Sequence, residues 1–259
     1  MELKELCQKI ADIEREAAKI VLHAKKILTE NKSGQRDVVT EYDCKVQELL
    51  VNELSALIPG AKFFCEENDR QDDLKAEHLF IIDPIDGTMN FVRHMNHSCI
   101  SVAYASCGEV KAAAVYNPYV DEMFTAAKGY GAWLNERPIE VEGKGLSETL
   151  VVCGTSPYNP SLTDPTFNLL RKVFPFCLDI RRQGSAELDL CSAASGRAGV
   201  YFELCVSLWD YAAGMLIVQE AGGICLTLDG EPMPLDSSKP SIVAGSEKAV
   251  RDVINLWKN

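Results

Sequence analysis

Leu79-Phe80-Ile81-Ile82-Asp83-Pro84-Ile85-Asp86-Gly87-Thr88-Met89-Asn90-Phe91 is the stretch whose reading decides the fold of this chain. Leu79 to Ile82 is apolar without alternation and of strand length, which predicts a strand buried on both faces. Asp83-Pro84 predicts its end, because proline cannot donate to a central ladder. Asp83 and Asp86 bracket the following turn, and Gly87 permits a tight backbone before Thr88. Carboxylates at the mouth of a buried strand are unfavourable unless they are paired or bind a cation. Hard oxygen ligands of this kind suit Mg²⁺, which takes few carboxylates and leaves positions for phosphate oxygens. A short helix beginning near Thr88 would add free amides, an anion site beside the cation. An Asp-Pro turn capped by an aspartate accounts for the same residues without a metal.

Two other segments give the turn its context. Phe64-Cys65-Glu66-Glu67 ends a short apolar piece in an acidic pair, and Leu208-Trp209-Asp210-Tyr211-Ala212-Ala213-Gly214 places a carboxylate near a helix start. Together with Asp83-Pro84-Ile85-Asp86-Gly87-Thr88 and the later Gly222-Gly223, they stand in the order of the inositol monophosphatase family. The chain resembles that family of Mg²⁺-dependent, lithium-sensitive phosphatases from its first helix to its end.

The resemblance implies a five-layer αβαβα sandwich and two or three Mg²⁺ ions. It assigns Glu66, Asp83 and the Ile85 carbonyl to one ion, and Asp83, Asp86 and Asp210 to the second. It gives the phosphate to the amides of Gly87 and Thr88, and orientation of the attacking water to Asp43 and Thr88. Glu203, in Val200-Tyr201-Phe202-Glu203, would accept hydrogen bonds from substrate hydroxyls. Ser185 and Ala186, in Gly184-Ser185-Ala186, would also touch the substrate. A homodimer is implied on the same basis. One departure stands out: Ser207 occupies a position where animal inositol monophosphatases tend to carry histidine, which bears on substrate identity.

Three of these residues have a second reading from local physics. Thr40 and Asp43 stand at capping-box spacing, and acidic residues favour a first helical turn. Asp210 near a helix start is favoured by the dipole alone. Glu203 could be a solvated carboxylate at a strand end.

Charge narrows the partners. A net charge of −12, from 38 acidic and 26 basic residues, argues against nonspecific nucleic-acid binding. It is compatible with a phosphorylated substrate when bound cations reverse the local field. Met1 to Lys9 carries charges throughout and reads as no signal peptide, and no stretch approaches the ~20 apolar residues of a membrane span. The ten cysteines include no Cys-x-x-Cys, which excludes a zinc ribbon and points to reduced thiols in the cytoplasm. Cys65 beside Glu66 is read as incidental. The P-loop signature is absent, and Leu134 stands where a dinucleotide motif opened by Gly129-Tyr130-Gly131 would need its third glycine. His23, His78, His94 and His97 show no metal-ligand spacing.

The remaining elements follow from periodicity. Leu3, Leu6, Ile10, Ile13, Ala17, Ile20 and Ala24 predict a helix over 3–28, followed by a polar loop over Gln35–Val39. A second helix spans Thr40–Ile58, and a very polar loop leads to His78. Strands at 98–105, 110–116, 122–126 and 131–134 form an antiparallel meander that Asn135-Glu136-Arg137-Pro138 closes. Gly143-Lys144-Gly145 divides the chain into an α+β half, 1–143, with most metal ligands, and an α/β half, 144–259, with Asp210 and the specificity residues. In the second half strands alternate with helices at 165–174, 186–195 and 208–221, before a last helix. The expected function is hydrolysis of inositol monophosphate. Fructose-bisphosphate, histidinol-phosphate and nucleotide 3′-phosphate are rival substrates. A non-enzymatic metal-binding regulator is the alternative from another class.

Overall fold

The structure, a computed structural model, describes residues 1–25, 27–34, 37–67 and 70–259; of residues 31–34, 37 and 38 it describes the backbone. The central strand outlasts its apolar run. Leu79–Asp86 is strand throughout and all eight residues are buried. It pairs antiparallel with Cys99–Ser106, and the register slips between Asp83 and Asp86. Pro84 falls inside that slip, where its missing N–H breaks no regular ladder bond. The expected stop at Asp83 is therefore a bulge, a device that re-aims side chains while the strand continues.

Among the described residues this strand is second in a seven-stranded sheet. Lys62–Cys65 lies parallel to it on one side. On the other, Cys99–Ser106, Glu109–Asn117, Glu122–Ala127, Ala132–Leu134 and Arg137–Ile139 follow as an antiparallel meander. Asn135 and Glu136 turn the chain with positive φ, and Arg137-Pro138, expected in the closing turn, form an edge strand instead. A five-stranded sheet runs in the order Asp179–Arg181, Leu150–Cys153, Val200–Glu203, Ile242–Gly245, Ile224–Leu226. Its first three strands are parallel.

Three apolar clusters set the layers. Helices Leu3–Leu22 and Glu41–Leu57 cover the outer face of the larger sheet with Ile10, Val46, Leu50 and Leu54 against Phe80, Ile82 and Val102. Helices Ala186–Ala194 and Ala212–Glu220 lie between the sheets, with Leu190, Leu216 and Ile217 packed among Leu79, Ile81, Tyr201 and Ala244. Helices Thr163–Val173 and Glu247–Lys258 cover the far face. The result is an αβαβα sandwich, as expected. Among the described residues no helix is long and apolar enough to cross a membrane.

Three further local expectations are corrected. The first helix stops at Leu22, and Thr29–Gly34 pairs with Asp37–Thr40 as a hairpin in place of the polar loop. Gln35 and Arg36 lie outside the described residues, as do Lys26, Asn68 and Asp69. The helix expected over 208–221 is broken: a 3₁₀ turn, Leu208–Asp210, precedes Ala212–Glu220, with Tyr211 at φ −141° between them.

Candidate active site

The bulge in Leu79–Asp86 points its carboxylates into a cavity of about 650 Å³ between the sheets' ends. Glu66, Asp83, Asp86 and Asp210 line it, with Ile85, Gly87, Thr88, Ser185 and Ala186. Glu203 and Ser156 line it too, with the exposed Arg182 and Lys239. Of the sequence-predicted site residues, Asp43 alone stands behind the cavity wall.

Each is placed by a local device. The Glu66 amide donates to the Ile82 carbonyl, and Gln47 brackets Glu67 with bonds to its N–H and carbonyl. Phe64 packs against Trp209 with rings tilted by 34° and 5.6 Å between centroids, which brings the upstream and downstream segments together. Asp210 accepts from the Ser207 amide at 2.7 Å, so its place is the end of the 3₁₀ turn and not the first turn of a long helix. Gly87 has φ +88°, and a Cβ there would lie 3.1 Å from the Gly184 carbonyl oxygen and 3.3 Å from Ser185 Cβ. Only glycine tolerates both that backbone and that approach.

Asp43 makes the capping box and also reaches Thr88. Its Oδ2 accepts from the Thr40 amide and hydroxyl, a capping box, while its Oδ1 accepts from the Thr88 hydroxyl at 3.3 Å. An edge contact between Tyr42 and Phe91, centroids 5.7 Å apart, docks the two helices that carry this pair. Glu203 is half-buried and not a solvated strand end. Ser156 donates to its Oε1 through amide and hydroxyl at 2.6 and 3.0 Å, and Tyr201 donates to its Oε2 at 2.9 Å. Gly154 is equally constrained, since a Cβ there would overlap the Glu203 carboxylate.

Burial dominates the electrostatics. It pushes the Asp43 carboxyl up to about 6 against the Thr40 hydroxyl bond that opposes it. Asp83 lies well above the usual carboxylate range through burial and then the charges of Glu66, Asp86 and Asp210, and its carboxyl is within hydrogen-bonding reach of Glu66. Asp210 is raised by burial and by Asp86 and Glu66. Carboxyl against carboxyl is a geometry that needs a proton or a cation between the groups. The donor set, four carboxylates and a carbonyl, is hard oxygen and fits Mg²⁺. Among the described residues no three His, Cys, Asp or Glu side chains already stand so that they could hold a metal ion unaided. Mg²⁺ commonly takes one or two carboxylates and completes its shell with water and phosphate, so a closed protein cage is not required.

Sequence reasoning passed over Asn90, Ser156, Tyr201 and Glu187. Asn90 donates to the His97 and Gln183 carbonyls and ties the motif to the Gly184 loop. Glu187 carried a usable signal, one of two acids (with Asp189) in a helix of mostly apolar residues; Ser156, in an ordinary Thr-Ser-Pro turn, carried none.

A carboxylate-lined cleft between the layers of an αβαβα sandwich defines the class, and sequence comparison makes it specific. The profile of the inositol monophosphatase family matches residues 2–256, and the chain belongs to that family. It is 38% identical to an inositol-1-monophosphatase of Rhizobium meliloti over 225 residues, 85% of this chain and 84% of the relative. It is 36% identical to Nus factor SuhB of Vibrio cholerae over 238 residues, 92% and 88% of the two. The solved structure of Thermotoga maritima IMPase TM1415 superposes with a TM-score of 0.89 at 29% identity, covering 98% of this chain and 97% of that one.

Proposed function

We propose that the chain hydrolyses a small phosphate monoester with Mg²⁺, and that inositol monophosphate is its best-supported substrate. The observation that carries this reading is the Asp43–Thr88 hydrogen bond beside four converging carboxylates. Glu66, Asp83 and the Ile85 carbonyl would hold one cation, and Asp83, Asp86 and Asp210 a second. Bound there, Mg²⁺ supplies the positive charge that a phosphate monoester needs in this acidic cleft and lowers the pKa of a water.

The protein's own groups supply the rest. Thr88 would present its hydroxyl to the attacking water, and Asp43, behind the cavity wall, accepts from that hydroxyl and acts on the water through it. With its pKa near 6, Asp43 can accept a proton close to neutral pH. The amides of Gly87 and Thr88 would hold phosphoryl oxygens, and Ser185 and Ala186 would border them. Glu203 would accept hydrogen bonds from the alcohol's remaining hydroxyls. The Asp43–Thr88 hydrogen bond, which binding a metal and a partner would not require, favours the enzyme over a non-enzymatic metal-binding regulator.

Phosphate release over a panel of phosphomonoesters with Mg²⁺ tests the reading, with inositol monophosphate expected among the best substrates. Asp210→Asn should lower turnover at least as much as the ~10–100-fold typical of losing a group behind a metal ligand, with the fold intact by circular dichroism. Turnover within a few-fold of wild type at saturating Mg²⁺ would remove Asp210 from the mechanism. Lithium at tens of millimolar, roughly where mass action on a weak cation site tells, should inhibit steady-state turnover; an unchanged rate would count against the second cation.

A further inference from the structure

Glu187 is fully buried and takes no part in lining the cavity, and yet it bonds both to Asp86 and to the helix that follows Asp210. Its backbone amide donates to Asp86 Oδ2 at 2.8 Å, beside bonds to the same carboxylate from the Ser185 hydroxyl and the Ala186 amide. Asp86 thereby satisfies first-turn amides of helix Ala186–Ala194. The Glu187 side chain runs the other way. Its Oε2 accepts from the Gly214 amide at 2.6 Å and its Oε1 from the Ala213 amide at 3.3 Å. Those are first-turn amides of helix Ala212–Glu220, which begins two residues after Asp210.

That helix has no side-chain cap of its own: Tyr211 occupies the N-cap position and makes no capping bond. A local Ser, Thr or Asp would satisfy such amides without burying a carboxyl. A remote acid does something a local cap cannot, since it sets the distance between two helix starts. Gly214 is part of the joint, because a Cβ there would lie 2.5 Å from Glu187 Oε2 and 2.6 Å from Leu190 Cβ.

We propose that Glu187 is a positioning residue that holds the start of helix Ala212–Glu220, and with it Asp210, at a fixed separation from Asp86, so that the two carboxylates can share one divalent cation. The inference rests on the reading of Asp86 and Asp210 as ligands of one Mg²⁺. It adds a residue that contacts neither the cation nor the substrate.

Calorimetric titration with Mg²⁺ alone tests it on the full chain, for wild type, Glu187→Ala, Glu187→Gln and Gly214→Ala. Urea unfolding with and without Mg²⁺ runs alongside. Glu187→Ala should weaken one Mg²⁺ binding event ten- to a hundredfold, the range seen when groups behind metal ligands are removed. Glu187→Gln, which keeps an acceptor at the same reach, should weaken it less. Gly214→Ala displaces the carboxyl from the other side and should reproduce the defect. Should Glu187→Ala fail to fold, the Gln and Gly214 variants carry the test. Variants that unfold more easily but titrate Mg²⁺ like wild type would reduce Glu187 to a helix cap and overturn the proposal. A wild type that binds no Mg²⁺ would instead remove the reading beneath it.

Discussion

Asp83 and Asp86 sit three residues apart on one bulged strand, both buried, and the protein treats them oppositely. Asp86 accepts from the Ser185 hydroxyl and the Ala186 and Glu187 amides, so protein donors hold back the rise that burial imposes, leaving it at about 6. Asp83 accepts from the Ile85 amide and otherwise faces Glu66. The first carboxylate is placed and stabilised by the fold. The second is placed by the fold and left for something positively charged to stabilise. In a site built this way the fold would hold the geometry without a cation, and a cation bound there would relieve the repulsion among the carboxylates.

Neutralising each in turn should break the comparison most sharply. Both Asp83→Asn and Asp86→Asn are expected to lower turnover by ~100-fold or more, since each removes a proposed direct ligand. Their stabilities should diverge. In chelator, Asp83→Asn relieves like-charge repulsion and should unfold at higher urea, by about 1 kcal/mol, the worth of under one pKa unit of interaction. Asp86→Asn turns an NH₂ toward donors that need an acceptor and should lose about 1–3 kcal/mol. Denaturant curves for the two variants with equal shifts of one sign would show that the fold does not distinguish these carboxylates.

Glu203 extends the comparison to another carboxylate of the same cavity. A carboxylate offers about four acceptor positions, and Ser156 and Tyr201 occupy three. One remains for a substrate hydroxyl. A single hydrogen bond to a charged group is worth ~1.5–3 kcal/mol, so Glu203→Gln should lower kcat/KM for inositol monophosphate roughly ten- to a hundredfold. p-Nitrophenyl phosphate, without polyol hydroxyls, should lose little. Equal losses on both substrates would make Glu203 a structural support for the Ser156 turn.

The layers were legible because their signals are local and periodic: apolar runs for buried strands and a stripe for helix Leu3–Leu22. What escaped depended on tertiary context. Pro84 reads as a strand breaker until the partner strand slips around it. The hairpin Thr29–Gly34 with Asp37–Thr40 has no apolar alternation to reveal it. In the site, Asp83, Asp86 and Asp210 converge in one cavity as their motifs led one to expect. Their supports did not show, because Glu187 meets Gly214 across 27 residues and Ser156 meets Glu203 across 47, and no short motif spans such distances.

Asp43 stands between the two kinds of carboxylate, fully buried yet held by Thr40 and Thr88, and its titration offers the finest test. Burial raises its pKa from the unfolded aspartate value of ~3.9 to about 6 in the folded protein. The folded state therefore binds this proton more tightly than the unfolded one. Its contribution to stability is fully present below about pH 4 and is lost as pH rises through about 6. One group can contribute a slope of at most about 1.4 kcal/mol per pH unit within that window. In chelator, wild-type stability should fall between pH 4 and 6 relative to Asp43→Asn, which has no proton to release, and the two curves should run parallel above pH 7. Parallel curves across the whole range would mean that Asp43 titrates as an ordinary aspartate. It could then accept no proton near neutral pH, and the attacking water would need another base.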